Sequence, residues 1–313
     1  MKAFDIVTGG HLSIDYIRPP RVNAFKKAIG GSPAYVSFAA RKLGARVGVI
    51  SKVGEDFPKA YVSMLKRSAV DLFGLEMVQN SRTTSFALEY YTESRRLSLK
   101  SRAPPITLED VQLEFEAKAI HVAPIASEIS SEVVDALRKK ADVLSLDPQG
   151  FLRKFNAKGR TSPKKWNADE VLELVDVYKS SLPEIRAVAG KSNLKVMMKR
   201  VADYGLKIVI VTLGAKGAAF LFDKTFHHIP SIPPKRLIDP TGAGDVFAGA
   251  FLAEYARKKD PLWCACVGSA AASFKVETFG PVLKSTTKEI YERAKDLCEK
   301  VYACRDAQRI IDA

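Results

Sequence analysis

The chain has 313 residues, 47% of them hydrophobic and 27% charged, with a net charge of +14. That balance suits one large α/β unit with a sizeable core, and without a run of about 18 apolar residues a membrane-spanning helix is not expected. The basic residues are scattered and come with no basic helix, zinc-finger spacing or RNA-binding aromatic signature, so they read as a basic, phosphate-attracting surface and not as a nucleic-acid interface.

In chain order, the N-terminal MKAFDIVTGGH carries Asp5 inside its apolar stretch and lacks a signal-peptide layout, which points to a cytoplasmic protein. A strand is predicted at 4–8, then an extended, polar-alternating stretch over 12–29. A helix follows at 34–43, closed by Gly44 as a left-handed cap. A strand at 47–53 and a helix at 60–68 lead to a second extended stretch, 81–101, whose clearest part is TSFALEY. Next come a strand at 119–123, a helix at 131–140 and a strand at 143–146. The segment NAKGRTSPKK (156–165) reads as a mobile polar loop. A helix at 168–174, a strand at 175–178, a helix at 195–204 and strands at 208–213 and 218–222 come next. Helices at 245–258 and 287–304 end the chain. Strands alternating with helices argue for a parallel sheet covered on both faces. The stretches 12–29 and 81–101 fall outside that alternation and suit a small separate sheet, a natural lid over a ligand.

The strongest chemical signal is Asp239-Pro240-Thr241-Gly242-Ala243-Gly244-Asp245, a glycine-rich turn opening into an apolar helix. Glycines let backbone N–H groups converge, and the helix start adds partial positive charge. The result is an anion hole, with the Asp245 carboxylate placed to accept a proton from an attacking hydroxyl. The spacing is not that of a Walker loop, which needs Lys after the glycine, nor of a dinucleotide fingerprint, which needs glycine where Phe247 stands. Taken alone, the motif also fits a plain glycine-rich helix cap.

The four cysteines, Cys264, Cys266, Cys298 and Cys304, lack zinc-site spacing and read as small buried apolar residues. Whether Cys298 and Cys304, or other pairs, form a disulfide is left open by sequence. The histidines His11, His121, His227 and His228 form no triad or metal spacing.

The 239–251 segment resembles the second signature of the ribokinase-like (PfkB) carbohydrate kinases. Gly30-Gly31-Ser32-Pro33-Ala34-Tyr35, with AARKLG at 39–44 and VGED at 53–56, resembles the first signature. Val211–Gly217, VTLGAKG, is similar to that family's nucleotide-binding strand and turn. The resemblance spans about 4–300. It implies a single domain over 1–313: a three-layer α/β/α core with a central, mostly parallel sheet, and a small β-sheet lid formed by about 12–29 and 81–101. It further implies ATP and Mg²⁺ as cofactors, with a monovalent cation as an optional addition near Ala270–Ser273 and Gly280. The partner is a small-molecule hydroxyl substrate, and the protein is a monomer or a homodimer joined through the lid.

Residue by residue, the resemblance makes Asp245 the catalytic base, with the N–H groups of Gly242, Ala243 and Gly244 holding the phosphoryl charge. Asp15 would bind acceptor hydroxyls, which suits a two-oxygen carboxylate. Gly30 and Gly31 form the diglycine hinge against the substrate. Gln149 and Arg153, in the strand-end segment DPQGFLR, would meet substrate or phosphate. Thr212, Gly214, Lys216, Gly217 and Thr241 would shape the nucleotide site with Gly242 and Gly244. Glu184, in Ser181-x-x-Glu184, would help order Mg²⁺. Two residues depart from the family pattern. Tyr35 stands where many sugar kinases have Asn, as a substrate contact or as helix packing. Ser181 replaces the Asn of the metal motif. These departures, with DPQGFLR, resemble an archaeal inositol-kinase-like branch and favour a polyol such as myo-inositol. Nucleosides and 2-keto-3-deoxy sugar acids come next. A non-catalytic nucleotide- or sugar-binding regulator on the same fold is the competing class; the intact Asp245 turn argues against it.

Overall fold

A computed structural model of the chain describes the backbone of residues 2–20, 22–91 and 95–311, with side chains through residue 302. The chain opens with β1 (Lys2–Gly9), β2 (Ser13–Arg18), β3 (Lys26–Gly30), α1 (Ser32–Lys42), β4 (Val47–Gly54), α2 (Lys59–Arg67) and β5 (Val70–Val78). It continues through β6 (Ser85–Tyr90), β7 (Arg95–Ser101), α3 (Leu108–Val111), β8 (Phe115–Val122), α4 (Ser131–Arg138) and β9 (Ala141–Leu146). A short hairpin, β10 (Arg153–Phe155) and β11 (Thr161–Pro163), precedes α5 (Asp169–Leu172), β12 (Val177–Ser181), α6 (Leu182–Ala189) and α7 (Leu194–Ala202). The last part holds β13 (Ile208–Thr212), β14 (Ala218–Phe222), β15 (Thr225–Ile229), α8 (Ala243–Tyr255), α9 (Pro261–Lys275) and α10 (Thr287–Ile311).

The central sheet has nine strands in the order β15-β14-β13-β12-β9-β8-β1-β4-β5. Every pairing from β13 to β5 is parallel, and the β13-β14-β15 end is antiparallel. Both faces are buried, which explains the near-continuous apolar strand runs. Ile6, Ile208 and Ile210 face a core built with α1, α8, α9 and α10, while Val7, Val209 and Val211 face a second core on the other side. The chain leaves β1 toward β4 and β5, then returns to extend the sheet through β8 on the other flank. Ligands gather outside the carboxyl ends of strands at such a reversal.

The second sheet has four strands in the order β3-β2-β6-β7. It comes from the two stretches expected to stand apart. The segment read as a mobile loop is corrected: β10 and β11 pair with each other and lean on this sheet. Gly159 accepts from Leu99 N–H at 2.9 Å, and Thr161 Oγ1 donates to Leu97 O at 2.9 Å. Gly159 has φ 72° and a side chain there would strike Leu99 O, so glycine is required.

Helix α9 escapes the sequence pattern. Buried between α8 and α10, it has no polar face, so no helical stripe shows. Its start is marked only by Asp260, whose carboxylate accepts from Leu262 N–H at 2.9 Å and Trp263 N–H at 3.0 Å. The helix expected over 168–174 is the single turn α5, and β5 and β15 also went unseen. Cys264, Cys266 and Cys298 are buried free thiols; the Cys304 side chain lies outside the described residues. Among the described residues no helix is long and apolar enough to cross a membrane.

Candidate active site

Two helix starts meet at the carboxyl edge of the sheet. Gly242, at φ 74°, turns the chain into α8 and puts Asp245 in the first helical turn. Gly31, at φ 86°, turns the chain from β3 into α1, where Ser32 and Pro33 lead. A Cβ on Gly249 would come within 2.4 Å of Val36 O, so glycine lets α1 and α8 pack backbone to backbone. This brings Ser32 Oγ to 2.7 Å from Asp245 Oδ1, to which it donates. Gln149 Nε2 approaches the same oxygen at 3.5 Å. Ser32 and Gln149 thus both face Oδ1.

Asp15, Tyr35, Gln149, Arg153, Thr241 and Asp245 all line one open cleft. Gly31 and Gly242 line it too, and Phe86, Leu88 and Leu97 add apolar walls from the lid. The diglycine has a concrete use: a Cβ on Gly30 would lie 2.1 Å from Asp15 Oδ2, and one on Gly31 2.2 Å from His11 O. Tyr35 is 1% exposed; its ring packs under Gly242, where a Cβ would meet ring carbons at 2.2–2.4 Å. Tyr35 is therefore packing as well as cleft wall.

The lid reaches the turn directly. Tyr90 OH at the end of β6 lies 2.9 Å from Thr241 Oγ1. At the lid's root, His11 Nδ1 lies 2.8 Å from Thr84 Oγ1, and buried Glu128 accepts from the N–H groups of His11, Ile125 and Ala126.

Asp15 accepts from Ser13 Oγ at 2.7 Å. Burial, reinforced by Asp239 and Asp245, raises its carboxyl from 3.8 to about 7. Between those values the folded state holds a proton that the unfolded chain releases, so stability falls as pH rises through that window and levels off above it. Asp15→Asn is therefore expected to match wild type near about pH 4 and to melt several degrees higher at about pH 8. The same variant is expected to bind the acceptor more weakly at the higher pH. Melting curves across pH, with acceptor KM alongside, check both.

A buried cation missed by sequence reasoning completes the site. Lys179, near the end of β12, donates to Asp147 Oδ2 at 2.6 Å, and its Nζ lies 2.7 Å from where a Gly244 Cβ would sit. Burial works against its charge, but Asp147 and Asp245 outweigh it and hold the ammonium above the ordinary lysine range. Burial raises Asp147 itself to about 6, against the pull of Lys179. The signal available was a lysine inside an otherwise buried strand, VYKSS. Ser32, Tyr90 and Ser13 were also missed, because a hydroxyl in a turn or strand carries no spacing of its own.

The Ala243 N–H donates to Pro240 O at 3.3 Å inside the turn. The N–H groups of the first helical turn, Gly244 among them, have no intrahelical acceptor, and Lys179 adds a full positive charge beside them.

Ser181 and Glu184 form a capping box on α6: Ser181 N–H and Oγ donate to Glu184 Oε2 at 2.7 and 2.6 Å. Burial opposes the Glu184 charge, but Lys179 and Arg153 hold its carboxyl below the usual range. Among the described residues no group of three or more His, Cys, Asp or Glu can hold a metal alone. One ionised carboxylate fits Mg²⁺, which keeps waters and leans on substrate phosphates. Thr212 pairs in register with Ser181 at the neighbouring strand end. Gly214 and Gly217, both at positive φ, turn the chain there, and the Lys216 side chain is exposed. Ala270–Ser273 lie within α9. Near Gly280, Lys275 Nζ donates to Asp239 O at 2.9 Å and Thr278 O at 3.2 Å.

A lidded α/β fold with a carboxylate at a glycine-rich helix start defines a phosphotransferase acting on hydroxyl groups. The chain belongs to the pfkB family of carbohydrate kinases, whose model matches residues 3–288, and is an ATP-dependent kinase of that kind. It is 27% identical to the cytidine kinase of Thermococcus kodakarensis, over 88% of this chain and 97% of that one. It is 26% identical to the nucleoside kinase of Methanothermobacter thermautotrophicus, over 88% and 90%. Among solved structures, a pyrophosphate-dependent kinase of the ribokinase family, complexed with a pyrophosphate analog and myo-inositol, is similar at TM-score 0.77 and 26% identity, covering 88% of this chain and 97% of that one. The ribokinase-like fold is shared as well with the nucleoside kinase of Methanocaldococcus jannaschii, at TM-score 0.75 and 22% identity over 95% of this chain.

Proposed function

We propose that this kinase transfers the ATP γ-phosphoryl group to a hydroxyl of a small polyol or sugar, with myo-inositol the first candidate, and that Asp245 is the base. The observation that carries the reading is Asp245 itself, held through Oδ1 by Ser32 at the mouth of a cleft that Asp15 also lines. Asp15 accepts acceptor hydroxyls and fixes which one faces Asp245. Asp245 takes the proton as that oxygen attacks, while the α8 N-terminus and Lys179 hold the charge on the transferring group. Glu184 is the residue to orient Mg²⁺, which when bound neutralises donor phosphate charge. Thr212, Gly214, Gly217 and Lys216 serve the nucleotide. The Tyr90–Thr241 contact closes the four-stranded sheet as a lid that excludes water, so transfer outruns hydrolysis.

Gln149 and Arg153 favour a polyol: Arg153 donates to Gln149 Oε1 at 2.6 Å, which orients the amide toward the cleft. The solved relative with myo-inositol supports the same class. A nucleoside acceptor is the second reading, favoured by the similarity to the cytidine kinase. Exposed Tyr16 and Phe25 on the lid suit pairing with a second copy, which sedimentation will read. The reading keeps the enzyme in the cytoplasm, with its ATP.

The test is product formation from a panel of polyols, sugars, sugar acids and nucleosides, with ATP and, separately, pyrophosphate as donor. Phosphorylation of inositol ahead of nucleosides is expected. Turnover confined to nucleosides would replace the acceptor; nucleotide binding without any turnover would favour a regulator.

A further inference from the structure

Lys275 is the last residue of α9, and its side chain is 0% exposed. A buried ammonium needs an acceptor for each of its N–H bonds. Lys275 Nζ donates to Asp239 O at 2.9 Å, Thr278 O at 3.2 Å and Asp239 Oδ2 at 3.4 Å, one acceptor for each. The buried Asp239 carboxylate then reaches both ways. Its Oδ1 accepts from Thr241 N–H at 2.9 Å, and its Oδ2 accepts from Gly280 N–H at 3.3 Å. One ammonium thus ties the end of α9 and the 276–280 loop to the turn that presents Gly242 and Asp245. Tyr35 adds a second link: Lys275 Nζ lies 5.7 Å from the centroid of the ring that packs under Gly242. Lys275 itself does not line the cleft.

Carbonyl and carboxylate oxygens arranged in this way are also what a dehydrated potassium ion takes as ligands. Here they do not fit a free cation, because an ammonium on the chain already occupies them. We propose that Lys275 is a tethered monovalent cation: it fills the oxygen cage behind the phosphate-binding turn, positions Gly242–Asp245, and frees the kinase from any need for potassium. The inference rests on the reading of that turn as the phosphoryl site. Lys275 is a positioning residue, since it acts through Asp239 and Tyr35.

The test compares wild type and Lys275→Ala in tetramethylammonium chloride, with and without added potassium, ammonium or lithium chloride. Wild-type rate is expected to change less than about twofold, and its Tm less than about 1 °C, on adding potassium. Lys275→Ala empties the cage. It is expected to melt lower in tetramethylammonium, and to regain Tm and at least about tenfold in kcat with potassium or ammonium but not lithium. The double variant Asp239→Asn/Lys275→Met removes both charges, and its Tm is expected to ignore all these cations. A merely structural lysine would show no preference for cation size. Wild type activated several-fold by potassium overturns the proposal, as does a folded Lys275→Ala that is blind to cations. If Lys275→Ala folds in no salt, the wild-type response decides alone. Melting needs no acceptor, so an enzyme inactive on every acceptor would sink the proposed function and leave this test intact.

Discussion

Asp245→Asn is expected to lower kcat by about 10²–10⁴-fold while ATP binds normally. The substitution is nearly isosteric, and an amide oxygen can still accept the Ser32 Oγ hydrogen bond seen at 2.7 Å. The glycine turn, the α8 start and the cleft keep their shape. What disappears is an oxygen able to take the acceptor proton as the phosphoryl group transfers. Because that interaction forms only in the transition state, kcat and kcat/KM are expected to fall together. Steady-state kinetics with ADP release as the readout, and nucleotide binding by calorimetry, separate the two effects. Near-normal turnover would remove Asp245 as the base.

Lys179→Met is expected to cost about 10²–10³-fold in kcat, the usual loss when one donor to a developing anion is removed. It also leaves Asp147 buried without its 2.6 Å partner, so a stability loss of about 3–5 kcal/mol is expected at neutral pH. The Asp147 carboxyl already stands at about 6 in the presence of Lys179. Without the ammonium it rises further, so the instability is largest at high pH and eases as acid protonates the carboxyl. Asp147→Asn/Lys179→Met removes both charges and is expected to regain much of the stability but none of the turnover. Chemical denaturation and kinetics on the single and double variants decide this. If the double variant recovered activity along with stability, Lys179 would be no more than a structural partner for Asp147.

The acceptor side of the site is more evenly balanced. Asp15 is costly to ionise where it sits, yet an ionised Asp15 is the better hydroxyl acceptor. Under the proposed function, ligand hydroxyls would supply the hydrogen bonds that burial removes, so acceptor binding and Asp15 ionisation are expected to favour each other. Under the same proposal, closure through the Tyr90–Thr241 contact would strengthen the site's charges by excluding water.

The sequence by itself singled out the candidate site. The 239–245 turn and the glycine at 31 are marked by local backbone needs, the positive φ at Gly242 and Gly31. The alternation of buried strands and helices, and the two stretches that break it, likewise follow from local pattern, and they became the nine-stranded and four-stranded sheets. Only the tertiary structure decided which distant groups support that site. Ser32 meets Asp245 across 213 residues, and Lys179 meets Asp147 across 32, because helix packing and strand order bring them together. Helix α9 was invisible for the same reason: a helix buried on every side has no polar face to betray its period. Lys275, at the end of that helix, carries no motif or spacing of its own in the sequence. Its role follows from being sealed against Asp239, and desolvation of that kind is a property of the fold, which no local run of residues encodes.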